Sequence, residues 1–150
     1  MNTRTDIQDF VAQKTLAVVG MSRAPQSFSA HAAKELRGKG YRLFPVNPNA
    51  TEVQGEKCYP TLAALPEKVG GVLFLTPPAA TEQAVREAVA VGVTHLWIQQ
   101  GAESNDALAF CEAQNVSVVS GHCILMFAEP VTSFHRVHRF FKGLFGGVPQ

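Results

Sequence analysis

Short apolar blocks alternate along the chain with stretches whose apolar positions recur every third or fourth residue. That is the pattern of strands buried on both faces and separated by amphipathic helices. The blocks run from Leu16 to Gly20, Tyr41 to Val46, Val72 to Leu75, His95 to Gln99 and Ser117 to Ser120. Ahead of them, Ile7, Phe10 and Val11 make a short amphipathic helix behind a Thr5 or Asp6 cap. Phe28, Ala32 and Leu36 form an inward stripe behind a Ser27 or Ser29 cap, and Gly38 and Gly40 stop that helix. A further helix follows Thr76-Pro77-Pro78 and runs to Val91, with Gly92 as its stop; Ser104 caps another through Gln114. Lys57 to Tyr59 reads as a short edge strand, and Thr61 to Leu65 as one helical turn before Pro66.

Strand, helix and strand recur at roughly 25 to 30 residues, the spacing of βαβ units. The economical architecture is α/β: a single doubly wound, Rossmann-like domain with a mostly parallel sheet of about five or six strands. In the tail from Ser133 to Phe145, Phe134, Val137, Phe141 and Leu144 share one face, while Arg136, Arg139 and Lys142 turn away. This reads as a C-terminal docking helix, packed on the core or pairing two copies as a homodimer. The core then spans about residues 10–130 and the helical tail 131–150.

With 150 residues, 46% of them hydrophobic and 17% charged, the chain can bury one core and is too short for two ordinary domains. A formal charge of +1 supplies no broad basic field for nucleic acid or an anionic membrane, so any phosphate site must be local. No apolar run approaches the ~18 residues of a membrane span. Cys58, Cys111 and Cys123 lie far apart with no C-x-x-C pair, which fits a reducing compartment and a cytoplasmic protein.

The candidate chemistry sits where the first strand gives way to its helix. Gly20 lets the backbone approach an anion, Met21, Ser22 and Arg23 follow, and the helix that begins near Ser27 and Phe28 turns its unpaired N–H groups toward that loop. A dinucleotide fingerprint G-x-G-x-x-G laid on Gly20 finds Ser22 and Pro25 at its second and third glycines. The second strand ends in Asn47 and Pro48 rather than the acidic residue that holds a ribose. Both departures count against a small NAD(P)-dependent oxidoreductase, which stays as the alternative beside a nucleotide-binding regulatory or interaction module. An amide nest, a hydroxyl and a guanidinium suit a pyrophosphate.

These residues resemble the small stand-alone CoA-binding proteins, whose domain is similar to the CoA-binding domain of the succinyl-CoA synthetase alpha subunit. The resemblance covers roughly residues 10–130. It rests on Ala17-Val18-Val19-Gly20-Met21-Ser22-Arg23 with Pro25, and on Gly40-Tyr41-Arg42 leading to Pro45-Val46-Asn47-Pro48. It continues through Gly55-Glu56-Lys57-Cys58-Tyr59-Pro60, Trp97-Ile98-Gln99-Gln100-Gly101, and Val118-Val119 before His122-Cys123. The resemblance implies CoA or an acyl-CoA as ligand, with its pyrophosphate on the first loop and Asn47 and Pro48 bordering the nucleotide. Thr76, Pro77 and Pro78 would line the crevice beside adenine or pantetheine, and Gln99 and Gly101 would shape its far wall. Leu75-Thr76-Pro77-Pro78 departs from the arginine-rich loop of many relatives, so the 3′-phosphate has no assigned partner. The synthetase also carries a phosphorylated histidine on a second domain that 150 residues do not accommodate, so ligase activity is not implied.

Nothing else in the chain assembles a catalytic set. No Ser-His-Asp order and no H-E-x-x-H occurs. Cys58 reads as a packed hydrophobe, and the adjacent His122 and Cys123 would point to opposite faces of a strand. His135 and His138 share a helical face but lack a third metal ligand. The expectation is a CoA-binding module, non-catalytic by itself.

Overall fold

A computed structural model describes residues 3–128 of the chain; the expected docking helix lies outside the described residues. In chain order come α1 (Arg4–Val11), β1 (Thr15–Val19), α2 (Phe28–Gly38), β2 (Arg42–Val46), β3 (Glu52–Val53) and β4 (Glu56–Lys57). A 3₁₀ turn (Leu62–Ala64) leads to β5 (Gly71–Phe74), α3 (Pro78–Ala90), β6 (His95–Gln99), α4 (Asn105–Ala113), β7 (Ser117–His122) and a second 3₁₀ turn (Ile124–Met126). Five strands form one parallel sheet in the order β2-β1-β5-β6-β7.

Period-two alternation along the strands divides the core in two. Leu16, Val18, Leu43, Leu73, Trp97 and Val119 face α1 and α2, while Ala17, Val19, Phe44, Val72, Phe74, Leu96, Ile98 and Val118 face α3 and α4. Both faces are covered, so each strand reads as a nearly continuous apolar run. Trp97 is fully buried between Phe10 and Phe127, with ring centroids 5.4 and 5.9 Å away. Its Nε1 donates to the His122 carbonyl at 3.0 Å, so the indole fills volume and leaves no polar atom unpaired.

The winding direction fixes where a ligand can sit. From β1 the chain moves outward to β2, then returns across to place β5 on the other side of β1. The loops that leave the carboxyl ends of β1 and β5 therefore part to opposite faces of the sheet, and the crevice between them is the usual ligand position of such folds.

Several local features differ from the sequence reading. The first helix is capped by Thr3 rather than Thr5 or Asp6: the Asp6 amide donates to Thr3 Oγ1 at 3.0 Å, and the Thr3 amide donates back to the Asp6 carboxylate at 3.2 Å. A Thr-x-x-Asp spacing closes this reciprocal box. Phe28 is 48% exposed, because the buried stripe of α2 is Ser29, Ala32, Ala33 and Leu36 and the 3.6-residue period leaves Phe28 off its edge. Rather than an edge strand at Lys57 to Tyr59, β3 and β4 pair as an antiparallel hairpin, and Tyr59 makes a single parallel bridge to Val46.

Partial burial pushes the Asp6 carboxyl up, but hydrogen bonds from Thr3 and Ser117 outweigh it and hold the group below its ordinary value of 3.8. A carboxyl depressed in the folded state stabilises the fold above its unfolded pKa, and that contribution is lost as pH falls through the folded value. The urea midpoint of the wild type should therefore drop more steeply between about pH 5 and pH 2 than that of Asp6→Asn; parallel pH profiles would show that Asp6 contributes nothing.

Candidate functional site

The floor of the crevice is a backbone contact. Gly20 has φ +93°, and a Cβ built on it would lie 2.9 Å from the Leu75 carbonyl carbon and 3.0 Å from the Thr76 nitrogen. The Gly20 amide donates to the Val46 carbonyl at 3.2 Å and the Leu75 amide to the Val19 carbonyl at 2.8 Å, which draws the ends of β1, β2 and β5 to one point.

From that point the loop between β1 and α2 folds back on the first turn of its own helix. The Ser22 amide donates to Ser29 Oγ at 2.8 Å, and the Ala24 amide donates to Ser22 Oγ at 3.1 Å. Ser27 caps α2, accepting from the Ala30 amide at 3.2 Å while its hydroxyl donates to the Ala24 carbonyl at 2.8 Å. Serine hydroxyls thus take three of the N–H groups that the sequence would have left for an anion. Among the described residues, nothing bonds to the N–H groups of Arg23, Phe28 and Ser29 or to the exposed Arg23 guanidinium. Unpaired donors at the positive end of a helix, on a loop that also carries an unpaired arginine, suit an anion.

The other expected site residues fall into two groups. Met21 is buried in the core, so only its backbone reaches the loop. Asn47 turns its amide inward, donating to the Met21 carbonyl at 3.0 Å and accepting from the Asn49 amide at 2.8 Å. Thr76 is buried and lies 2.6 Å from the hydroxyl of Thr81, which donates to the Ala102 carbonyl at 2.7 Å; Thr76 is therefore the donor of that pair. Gln99 is buried as well, its Oε1 accepting from the Ile124 amide at 3.1 Å. These four side chains pack or bond within the protein. Arg23, Phe28, Pro48, Pro77, Pro78 and Gly101 are exposed, and Ser22 and Ser27 are half-buried.

Sequence reasoning passed over Gln54 and Thr81. Thr81 shares the buried stripe of α3 with Ala84, Val85 and Ala88, and a polar residue in an otherwise apolar stripe was the available signal. Gln54 donates to the carbonyls of Ser22 and Arg23 at 3.2 and 3.1 Å across a long stretch of chain, and no local pattern foretells that pairing.

The thiols are placed for packing. Burial pushes the Cys111 thiol up to about 11 and raises that of Cys58 too, with backbone hydrogen bonding at Asn47 and Tyr59 opposing the second shift. Both are protonated near neutral pH and poor nucleophiles there. Among the described residues no group of three or more His, Cys, Asp or Glu could hold a metal ion, and no helix is long and apolar enough to cross a membrane. His135 and His138 lie outside the described residues.

Comparison with known families decides the class of the domain: the family described as CoA binding domain matches residues 14–129. The chain belongs to this CoA binding domain family. Over 134 residues this CoA binding domain is 25% identical to ADP-forming acetate–CoA ligase II of Archaeoglobus fulgidus, covering 87% of the chain and 20% of the ligase. The chain thus spans about a fifth of that relative's length. An uncharacterized protein of Bacillus subtilis, YneT, is 24% identical over 123 residues, covering 81% of this chain and 91% of its own. Among solved structures, a hypothetical protein from Pyrococcus horikoshii superposes with a TM-score of 0.76 at 30% identity, covering 81% of this chain and 87% of that one. A conserved hypothetical protein from Pyrococcus furiosus gives a TM-score of 0.70 at 39% identity, covering 74% and 96% respectively. The Rossmann-like α/β fold of the CoA binding domain is thereby shared with proteins of similar size, and its sequence has a counterpart within a much longer ligase.

Replacing Gly20 by alanine forces a side chain onto the β5 backbone in a left-handed conformation, which costs about 1–3 kcal/mol. Urea unfolding of Gly20→Ala should show a loss of at least this size; a midpoint equal to the wild type would mean that the close approach does not constrain the fold.

Proposed function

We propose that the chain binds CoA or an acyl-CoA with the pyrophosphate seated at the start of α2, and that it acts as a binding module rather than a catalyst. The observation that carries this reading is the set of unpartnered N–H groups at Arg23, Phe28 and Ser29 beside the Arg23 guanidinium, at the point where the sheet changes winding direction. A pyrophosphate there would receive backbone donors from the helix terminus and a forked donor from arginine. Phe28, exposed at the first helical position, offers its ring face to the adenine or the pantetheine arm. Pro48, Pro77, Pro78 and Gly101 border the ligand, and Met21, Asn47, Thr76 and Gln99 support it from within the protein. Family membership and the likeness to a CoA ligase favour CoA over a nicotinamide dinucleotide, as do Ser22 and Pro25 in place of fingerprint glycines.

A non-catalytic role fits the chemistry of the loop. Its three serine hydroxyls bond to backbone groups and to one another, and no described imidazole or carboxylate is hydrogen-bonded to them as a base.

Titration calorimetry with CoA, dephospho-CoA and NADH tests the reading. CoA should bind, NADH should bind far more weakly, and Arg23→Ala should lower CoA affinity by about tenfold or more through the loss of charge-assisted hydrogen bonds. No heat with CoA, or an Arg23→Ala protein that binds CoA as the wild type does, would overturn it. Preference for NADH would favour the oxidoreductase alternative instead.

A further inference from the structure

The β3–β4 hairpin turns through Gln54 and Gly55, with Val53 paired to Glu56 across a two-residue loop. Both turn residues are left-handed, φ +53° at Gln54 and +78° at Gly55, the geometry of a type I′ turn. Glycine, asparagine and aspartate adopt that conformation readily at the first position; glutamine gains nothing local from it. What the longer side chain gains lies elsewhere. Its Nε2 donates to the Ser22 carbonyl at 3.2 Å and to the Arg23 carbonyl at 3.1 Å, while Arg37 on α2 holds the hairpin through a 2.6 Å ion pair with Glu56.

In a trans peptide the C=O and N–H groups point in opposite directions. Fixing the carbonyls of Ser22 and Arg23 toward the hairpin therefore turns the N–H groups of Arg23 and Ala24 away from it; Ala24 meets Ser22 Oγ there and Arg23 keeps its N–H free among the described residues. It also removes two carbonyl lone pairs from the path of an anion. We propose that Gln54 is a positioning residue of the anion loop, using one side-chain amide to hold both peptides with their carbonyls turned from the ligand, so that the Arg23 N–H is left toward it and the Ala24 N–H stays on Ser22 Oγ. This rests on the pyrophosphate site proposed above. A strained backbone conformation is kept at the hairpin tip for the reach of the side chain.

The variants that separate this role from a structural one are Gln54→Asn and Gln54→Gly, which suit the turn better but cannot reach the loop. Their thermal midpoints should equal or exceed that of the wild type. Amide hydrogen exchange at Ser22 and Ala24 of the free protein, whose N–H groups are hydrogen-bonded to Ser29 and Ser22 hydroxyls, should quicken about tenfold, and CoA affinity measured by calorimetry should fall about tenfold. Gln54→Glu, equal in size but without the donor, should show the same losses. Exchange at these amides that matches the wild type overturns the proposal, as does an unchanged CoA affinity in the variants. Should the wild type itself fail to bind CoA, the pyrophosphate site falls, while the exchange rates of the free proteins still decide whether Gln54 holds the loop.

Discussion

The carboxyl edge of the sheet depends on the close approach of two backbones at Gly20. With φ +93° and the Leu75 carbonyl carbon 2.9 Å from where a Cβ would stand, β1 and β5 meet more tightly than any side chain permits. Hydrogen bonds from Gly20 to Val46 and from Leu75 to Val19 bind the ends of three strands around that contact. The loops on either side start from a shared base, and their divergence to opposite faces of the sheet opens the crevice.

Most polar side chains around the crevice serve the protein before any ligand. Ser22, Ser27 and Ser29 satisfy amides of the loop and the helix start, while Asn47 and Gln54 satisfy three successive carbonyls from Met21 to Arg23. A loop whose own groups are paired in this way keeps its shape without a ligand, and preorganised donors cost less to bring to an anion than mobile ones. What remains outward is backbone N–H, one guanidinium and the Phe28 ring. In the proposed function, recognition of a diphosphate therefore needs few side chains of its own.

The layered architecture was legible in the sequence because strands buried on both faces are continuous apolar runs; all five sheet strands lie within a residue or two of their expected bounds. Ser27 and Ser104 were readable as caps because a hydroxyl placed just before an amphipathic run has a local effect. The chain also carried the CoA-binding resemblance that family membership bears out. Less legible was the direction in which side chains point once the loops fold. Phe28 looked inward on a period-four count and is exposed, while Asn47 looked like a ligand contact and turns to Met21. Gln54 reaches carbonyls distant in sequence, a relation set by tertiary packing and invisible to periodicity or turn chemistry.

The proposed CoA site is defined by where the phosphates go, and amide chemical-shift mapping by NMR reads that most directly. Saturating CoA should move the resonances of Arg23, Phe28 and Ser29 most strongly, with smaller changes at the loop that follows β5. Contradiction would be a map that leaves these amides in place and centres elsewhere, for example on the apolar groove of Leu62, Val69, Val91 and Val93 beside the amino ends of β5 and β6.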